Sequence, residues 1–77
     1  MAQDEIDQIR RMGETAGQIW GLLAEHGPMS VAALVKRLGM PRDYVMEGIG
    51  WLAREEKIEI RDEGRSRLVA LKESEYR

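Results

Sequence analysis

The chain has 77 residues, of which 12 are basic and 14 acidic, and its net charge is −2. This length allows a single small domain, residues 1–77, with a thin hydrophobic core. The absence of cysteine excludes disulfides, thiolate metal sites and thiol catalysis, and the slightly acidic balance means that nucleic-acid binding would require a local basic patch.

The first predicted helix covers residues 4–25. Its core stripe recurs at helical spacing and consists of Met12, Ala16, Ile19, Trp20 and Leu23. Residues 1–11 either extend this helix or fray from its start. The segment EHGP predicts its end, because Gly27 suits a left-handed residue and Pro28 cannot continue a helix.

Two further helices are predicted around a tight turn. Ser30 is a suitable N-cap for residues 31–38, whose inward side chains include Leu34 and Leu38, and Gly39 ends that helix. The third helix is predicted over residues 41–56. Its inward side chains are Val45, Ile49 and Leu52.

A β-hairpin is predicted after the third helix. Two apolar or alternating runs, KIEIR and RLVALK, flank a glycine-containing loop. Ile58 and Ile60 are expected to point into the core, as are Val69 and Leu71, and residues 73–77 form a polar tail. The order of elements predicts a mainly α fold with a small β-hairpin: a winged helix-turn-helix with three helices and a two-stranded wing.

Several segments resemble a known family. They are TAGQIW, LVKRLGM and GIGWLAREEKIEI, together with the closing strand. Over residues 13–72 the chain is similar to small prokaryotic winged helix-turn-helix proteins of unknown function, the domain-of-unknown-function 2582 family. The resemblance implies a winged helix of the kind found in transcription regulators, and a homodimer. It implies no activity, ligand or catalytic residue.

The third helix is a poor match to DNA. In winged helices its outer side chains commonly touch bases and phosphates, but here the face opposite the core carries Asp43, Glu47, Gly50 and Arg54. The nucleic-acid candidates are Arg42, Arg54, Arg61, Arg65 and Arg67. Because an arginine-rich wing would contact phosphates, which carry no sequence information, the sequence predicts at most weak, accessory DNA binding. The alternative is a winged helix that binds another protein and not DNA.

Glycines recur every fourth residue on the first helix. This strip has two interpretations: it lets the first and third helices pack within one chain, or it faces a second copy. The number of apolar side chains on this flank favours a homodimer. The interface candidates are Gly13, Gly17, Trp20, Gly21, Tyr44, Gly48 and Trp51.

The sequence contains no recognisable group of catalytic residues. His26 is the only histidine and sits at a helix end, where it suits the helix dipole. The glycines do not form a phosphate-binding loop. The sequence therefore predicts a non-enzymatic protein with no metal site and no cofactor. The polar, acidic start and the lack of a long apolar run predict a cytoplasmic location.

Overall fold

The computed structural model describes residues 3–72 and contains three helices and three strands. In chain order these are α1 (Gln3–His26), β1 (Met29–Ser30), α2 (Val31–Leu38), α3 (Arg42–Arg54), β2 (Ile58–Glu63) and β3 (Ser66–Leu71). The predicted winged helix-turn-helix is confirmed. The polar tail, 73–77, and residues 1 and 2 lie outside the described residues.

Helix α1 has 24 residues and is therefore about 36 Å long. It begins at Gln3, so residues 3–11 extend the helix. It ends as predicted: Gly27 has φ 82 and donates its N–H to the carbonyl of Leu23 at 2.9 Å. Within residues 3–72, no helix is long and apolar enough to cross a membrane.

The turn between α2 and α3 is set by local residues. The Ser30 hydroxyl accepts a hydrogen bond from the N–H of Ala33 at 3.0 Å, which caps α2. Gly39 ends α2 with φ 66, and its N–H donates to the carbonyl of Val35 at 3.0 Å. Helix α3 is shorter than predicted because the backbone turns left-handed at Glu56, with φ 59.

The wing belongs to a three-stranded antiparallel sheet in the order β1-β3-β2. Strands β2 and β3 form the predicted hairpin, and their outermost pair is Glu63 with Ser66. Strand β1 adds to the other side of β3, where Met29 pairs with Val69. Strand β1 could not be predicted, because a strand of two residues is too short to show alternation.

The core lies between the helices and the sheet. Its buried apolar side chains are Ala16, Ile19, Leu23, Val31, Leu34, Val45, Ile49, Leu52, Ile58 and Val69. Leu38 and Leu71 are partly buried and pack against this cluster. Expecting Ile60 in the core was wrong: it is 42% exposed, whereas Ile58 is 4% exposed. Strand β2 is an edge strand, and all of it beyond Ile58 is exposed.

Candidate functional site

A groove lies between the helix-turn-helix and the wing. The starts of α2 and α3 form one side, with Ser30 and Arg42, and the hairpin turn forms the other, with Asp62, Arg65 and Arg67. We call this surface the wing groove. It brings together three of the five nucleic-acid candidates, Arg42, Arg65 and Arg67.

The wing groove carries a net positive charge. Arg67 forms an ion pair with Asp62 at 3.0 Å, and both side chains are largely exposed. Within residues 3–72, Arg42 and Arg65 form no ion pair, so their guanidinium groups are available to a ligand. The start of α2 lines the same groove and adds the partial positive charge of a helix N-terminus. The groove is therefore suited to an anion such as a phosphate.

The other two arginine candidates lie outside the wing groove. Arg61 is on β2 and contacts Glu59 at 3.8 Å. Arg54 is exposed in the last turn of α3. They are therefore peripheral to the surface that gathers Arg42, Arg65 and Arg67.

Three of the four residues predicted on the outer face of α3 are exposed, and the fourth is paired with another helix. Asp43, Gly50 and Arg54 are exposed. Glu47 instead forms an ion pair with Arg11 of α1 at 3.2 Å. This pair cannot be recognised in the sequence, because its partners are 36 positions apart and on different helices.

One of the interface candidates, Gly48, lies inside the chain, whereas Gly13 lies beside an aromatic ring at its surface. Gly48 is buried, and a Cβ there would lie 2.9 Å from side-chain atoms of both Thr15 and Ile19. A Cβ on Gly13 would lie 3.7 Å from the ring of Trp51. The structure therefore places Gly48 in the contact between α1 and α3, where another chain cannot reach it.

Four of the interface candidates line an open groove. Gly13, Gly17 and Trp20 of α1 line it, with Trp51 of α3 on the opposite side. We call it the tryptophan groove. Trp20 is 42% exposed, and space is open above Gly17 and also above Gly21 farther along α1.

Tyr44 lies beside the Arg11–Glu47 pair. The Arg11 guanidinium stacks over its ring, 3.8 Å from the centroid. The ring is half-buried, so this contact within the chain uses part of the surface that the sequence assigned to a partner.

An exposed apolar pair on α1 was also missed. Ile6 and Ile9 are 37% and 45% exposed, and residues 4–10 are exposed throughout. Their spacing of three residues places them on one side of the helix. The spacing of Ile6 and Ile9 is visible in the sequence. It lies, however, in the segment for which the sequence predicts either an extension of α1 or fraying.

His26 lies at the surface of the protein. An Arg37 nitrogen lies 3.1 Å from Nε2 of His26, and Glu25 lies 3.7 Å from the same atom. Among the described residues, no group of three or more histidine or carboxylate side chains is arranged to hold a metal ion.

Comparisons with known proteins agree with the fold. The chain is 39% identical over 69 residues to the uncharacterized protein MJ1608 of Methanocaldococcus jannaschii, which covers 86% of this chain and 97% of that protein. The structure of HlyU from Vibrio cholerae superimposes with a TM-score of 0.73 at 22% identity, over 97% of this chain and 85% of HlyU. A family model, the winged helix-turn-helix domain DUF2582, matches residues 3–71. This chain therefore belongs to the DUF2582 family of winged helix-turn-helix domains.

Proposed function

We propose that this chain is a non-enzymatic DNA-binding module that holds the phosphate backbone in the wing groove. The observation that carries the proposal is the grouping of Arg42, Arg65 and Arg67 around one concave surface beside the start of α2. Arginine guanidinium groups and helix N-termini both bind phosphate oxygens. DNA as the ligand agrees with the cytoplasmic location predicted from the sequence.

Binding of this kind is weak and insensitive to sequence. Asp43 and Gly50 on the outer face of α3 supply no donor for base edges, and Glu47 is paired with Arg11. Contacts to phosphates position a protein without reading bases. Three arginine–phosphate contacts give a slope of roughly −3 for the logarithm of the association constant against the logarithm of salt concentration.

The test is fluorescence anisotropy with two labelled duplexes of unrelated sequence, over a series of salt concentrations. The wild type is expected to bind both duplexes equally, with the slope given above. The double variant Arg65→Glu, Arg67→Glu removes two of the three contacts and is expected to abolish binding. Arg61→Glu is the matched control, because it reverses a charge on the same hairpin outside the wing groove. A tight complex with only one duplex at physiological salt would contradict the proposal.

We also propose that the chain forms a homodimer through the flank around the tryptophan groove. Trp20 and Trp51 border this groove, and Trp20 is 42% exposed. Aromatic side chains of this kind are frequent anchors in interfaces, and a two-fold dimer is the commonest closed assembly. Light scattering over a range of protein concentrations measures the association directly. A mass that stays monomeric at high micromolar concentration contradicts it.

The alternative function is recognition of another protein instead of DNA. It is favoured by the carboxylates of Asp43 and Glu47 on α3, which oppose phosphates. The same anisotropy experiment separates the two functions. If the wild type binds neither duplex even at low salt, DNA binding is excluded and protein recognition is the better interpretation of the fold.

A further inference from the structure

Strand β2 lies at the edge of the sheet and is open along one side. The sheet order is β1-β3-β2, so within residues 3–72 no strand pairs with the side of β2 that faces away from β3, which we call the outer edge. Every residue of β2 after Ile58 is exposed, so the helices do not cover this edge. The strand contains no proline, and its register with β3 is continuous. The outer edge is therefore free to pair with another strand.

The hairpin determines which residues offer main-chain groups at the outer edge. Glu63 pairs with Ser66 across a two-residue turn, and the pair that closes such a turn exchanges main-chain hydrogen bonds. The alternation continues to the base of the hairpin, where the Lys57 carbonyl accepts a hydrogen bond from the N–H of Lys72 at 3.0 Å. Odd-numbered residues of β2 therefore bond to β3. The residues whose N–H and carbonyl groups point to the outer edge are Ile58, Ile60 and Asp62.

We infer that β2 pairs with β2 of a second copy of this chain, antiparallel and around a two-fold axis at Ile60. Ile60 then lies opposite Ile60 of the partner subunit, and Ile58 lies opposite Asp62 of the partner subunit. Outward-pointing residues meet outward-pointing residues, so each of these pairs exchanges two main-chain hydrogen bonds. No residue of β2 lines the tryptophan groove, so this contact is independent of the dimer proposed above.

Charge selects this register. On the opposite face of β2, the inferred pairing sets Glu59 opposite Arg61 of the partner subunit, and the two-fold axis repeats this pair. Opposite charges directly across two strands are favourable, whereas like charges are unfavourable. An axis at Glu59 would set two carboxylates against each other, and an axis at Arg61 would set two guanidinium groups against each other. An axis at either end, Ile58 or Asp62, would pair fewer residues.

The ion pairs within each chain are compatible with this pairing. Glu59 contacts Arg61 at 3.8 Å, and their side chains are 48% and 49% exposed. A carboxylate accepts several hydrogen bonds, so Glu59 can hold its own Arg61 and Arg61 of the partner subunit together. Asp62 keeps its ion pair with Arg67 at 3.0 Å, because Arg67 lies on β3 and not at the outer edge.

Ile60 gives the pairing an apolar centre. It lies on the same face of β2 as the buried Ile58, yet it is 42% exposed. At the two-fold axis the Ile60 side chains of both copies lie side by side, and covering them removes apolar surface from water. The pairing therefore covers an apolar side chain that the core of one copy leaves open.

Cross-linking tests the position of the axis, because the chain has no cysteine of its own. In the inferred pairing the two copies of residue 60 face each other at a Cα separation of about 5.5 Å, which a disulfide spans. Ile60→Cys is therefore expected to form a covalent dimer under mild oxidation. Glu63→Cys is the control on the same strand, because its two copies lie about 20 Å apart in this register.

A charge swap tests the register without a cross-link. Glu59→Arg sets an arginine opposite Arg61 of the partner subunit at two places, and is expected to raise the dissociation constant about tenfold or more at low salt. The double variant Glu59→Arg, Arg61→Glu restores opposite charges and is expected to recover the wild-type constant. Light scattering over a range of protein concentrations gives each constant, and circular dichroism checks that each variant is folded.

Trp20→Ala separates this contact from the dimer proposed above, since Trp20 borders the tryptophan groove and lies outside β2. Self-linkage of Ile60→Cys, with weakening by Glu59→Arg and recovery in the double variant, supports the pairing. Association that Trp20→Ala weakens and Glu59→Arg leaves unchanged overturns the pairing, while the dimer through the tryptophan groove stands. A wild type that stays monomeric at high micromolar concentration overturns both.

Discussion

Arg11 of α1 joins the outer face of α3 to the first helix. Its guanidinium lies 3.2 Å from the Glu47 carboxylate and 3.8 Å from the centroid of the Tyr44 ring. The Arg11 and Glu47 side chains are 35% and 39% exposed, so the pair contributes at most about 1 kcal/mol to stability. Its larger consequence is electrostatic, because Arg11 neutralises one of the two carboxylates predicted on the outer face of α3.

A positive charge at Gly50 is expected to strengthen DNA binding. A Cβ at this position meets nothing within 4 Å, so Gly50→Lys adds a cation to the outer face of α3 without a steric cost. We expect an increase in affinity of up to roughly tenfold at low salt and a steeper salt dependence, measured by anisotropy. Gly50→Gln is the control for side-chain size and helix propensity.

Glu47→Lys is the informative comparison with Gly50→Lys. It places an ammonium group beside Arg11 and breaks an ion pair, so its gain in DNA affinity is expected to be smaller than that of Gly50→Lys. A larger gain would show that the Arg11–Glu47 pair is not maintained on DNA.

Removing the carboxylate from the wing groove is expected to raise DNA affinity. Asp62 lines the groove and holds the guanidinium of Arg67 at 3.0 Å. Asp62→Asn therefore releases Arg67 for a phosphate and also removes a repelling charge. The control is Glu63→Gln, which changes the charge equally at the next residue, outside the groove lining. Equal effects of both variants in anisotropy would mean that net charge alone matters.

The fold could be predicted from the sequence where structure is local. Ser30 caps α2, and Gly39 takes the left-handed conformation that ends it, because both effects depend on residues within one turn. The helical core stripes were equally local. The pairing of β1 with β3 and that of Arg11 with Glu47 join distant positions, and no periodicity in one sequence encodes them.

The candidate site was predictable in composition but not in arrangement. Five arginines are candidates from the sequence alone, and only the positions of α3 and the hairpin show that Arg42, Arg65 and Arg67 share a groove. The glycine pattern likewise left open whether each glycine faces another chain. Gly48 faces α1 and Gly17 faces open space, a difference that depends on how the two helices cross.

The unequal burial of Leu52 in α3 and Ile60 in β2 gives a prediction about stability. Both residues were predicted in the core. Leu52 is buried there, at 3% exposure, whereas Ile60 is 42% exposed. Leu52→Ala is expected to lower the free energy of unfolding by about 2–5 kcal/mol through a cavity. Ile60→Ala should cost less than about 1 kcal/mol, as surface changes usually do. Urea unfolding followed by circular dichroism measures both, and similar losses would place Ile60 in the core after all.

Two glycines on α3 are expected to respond oppositely to the same substitution. At Gly50 the space is open, so Gly50→Ala gains helix propensity and raises the free energy of unfolding by up to about 1 kcal/mol. At Gly48 the added methyl group would lie 2.9 Å from the Cδ1 atom of Ile19 and from the Cγ2 atom of Thr15.

The neighbours of Gly48 have little freedom to move away. Ile19 is 0% exposed and Thr15 is 2% exposed, and the third neighbour, 3.2 Å away, is the backbone nitrogen of Ala16. Because α1 and α3 must separate to admit the methyl group, Gly48→Ala is expected to lose about 1–3 kcal/mol despite its better helix propensity. Denaturant unfolding of both variants at one protein concentration gives the comparison. Equal stabilisation by the two substitutions would show that α1 and α3 do not approach each other closely at Gly48.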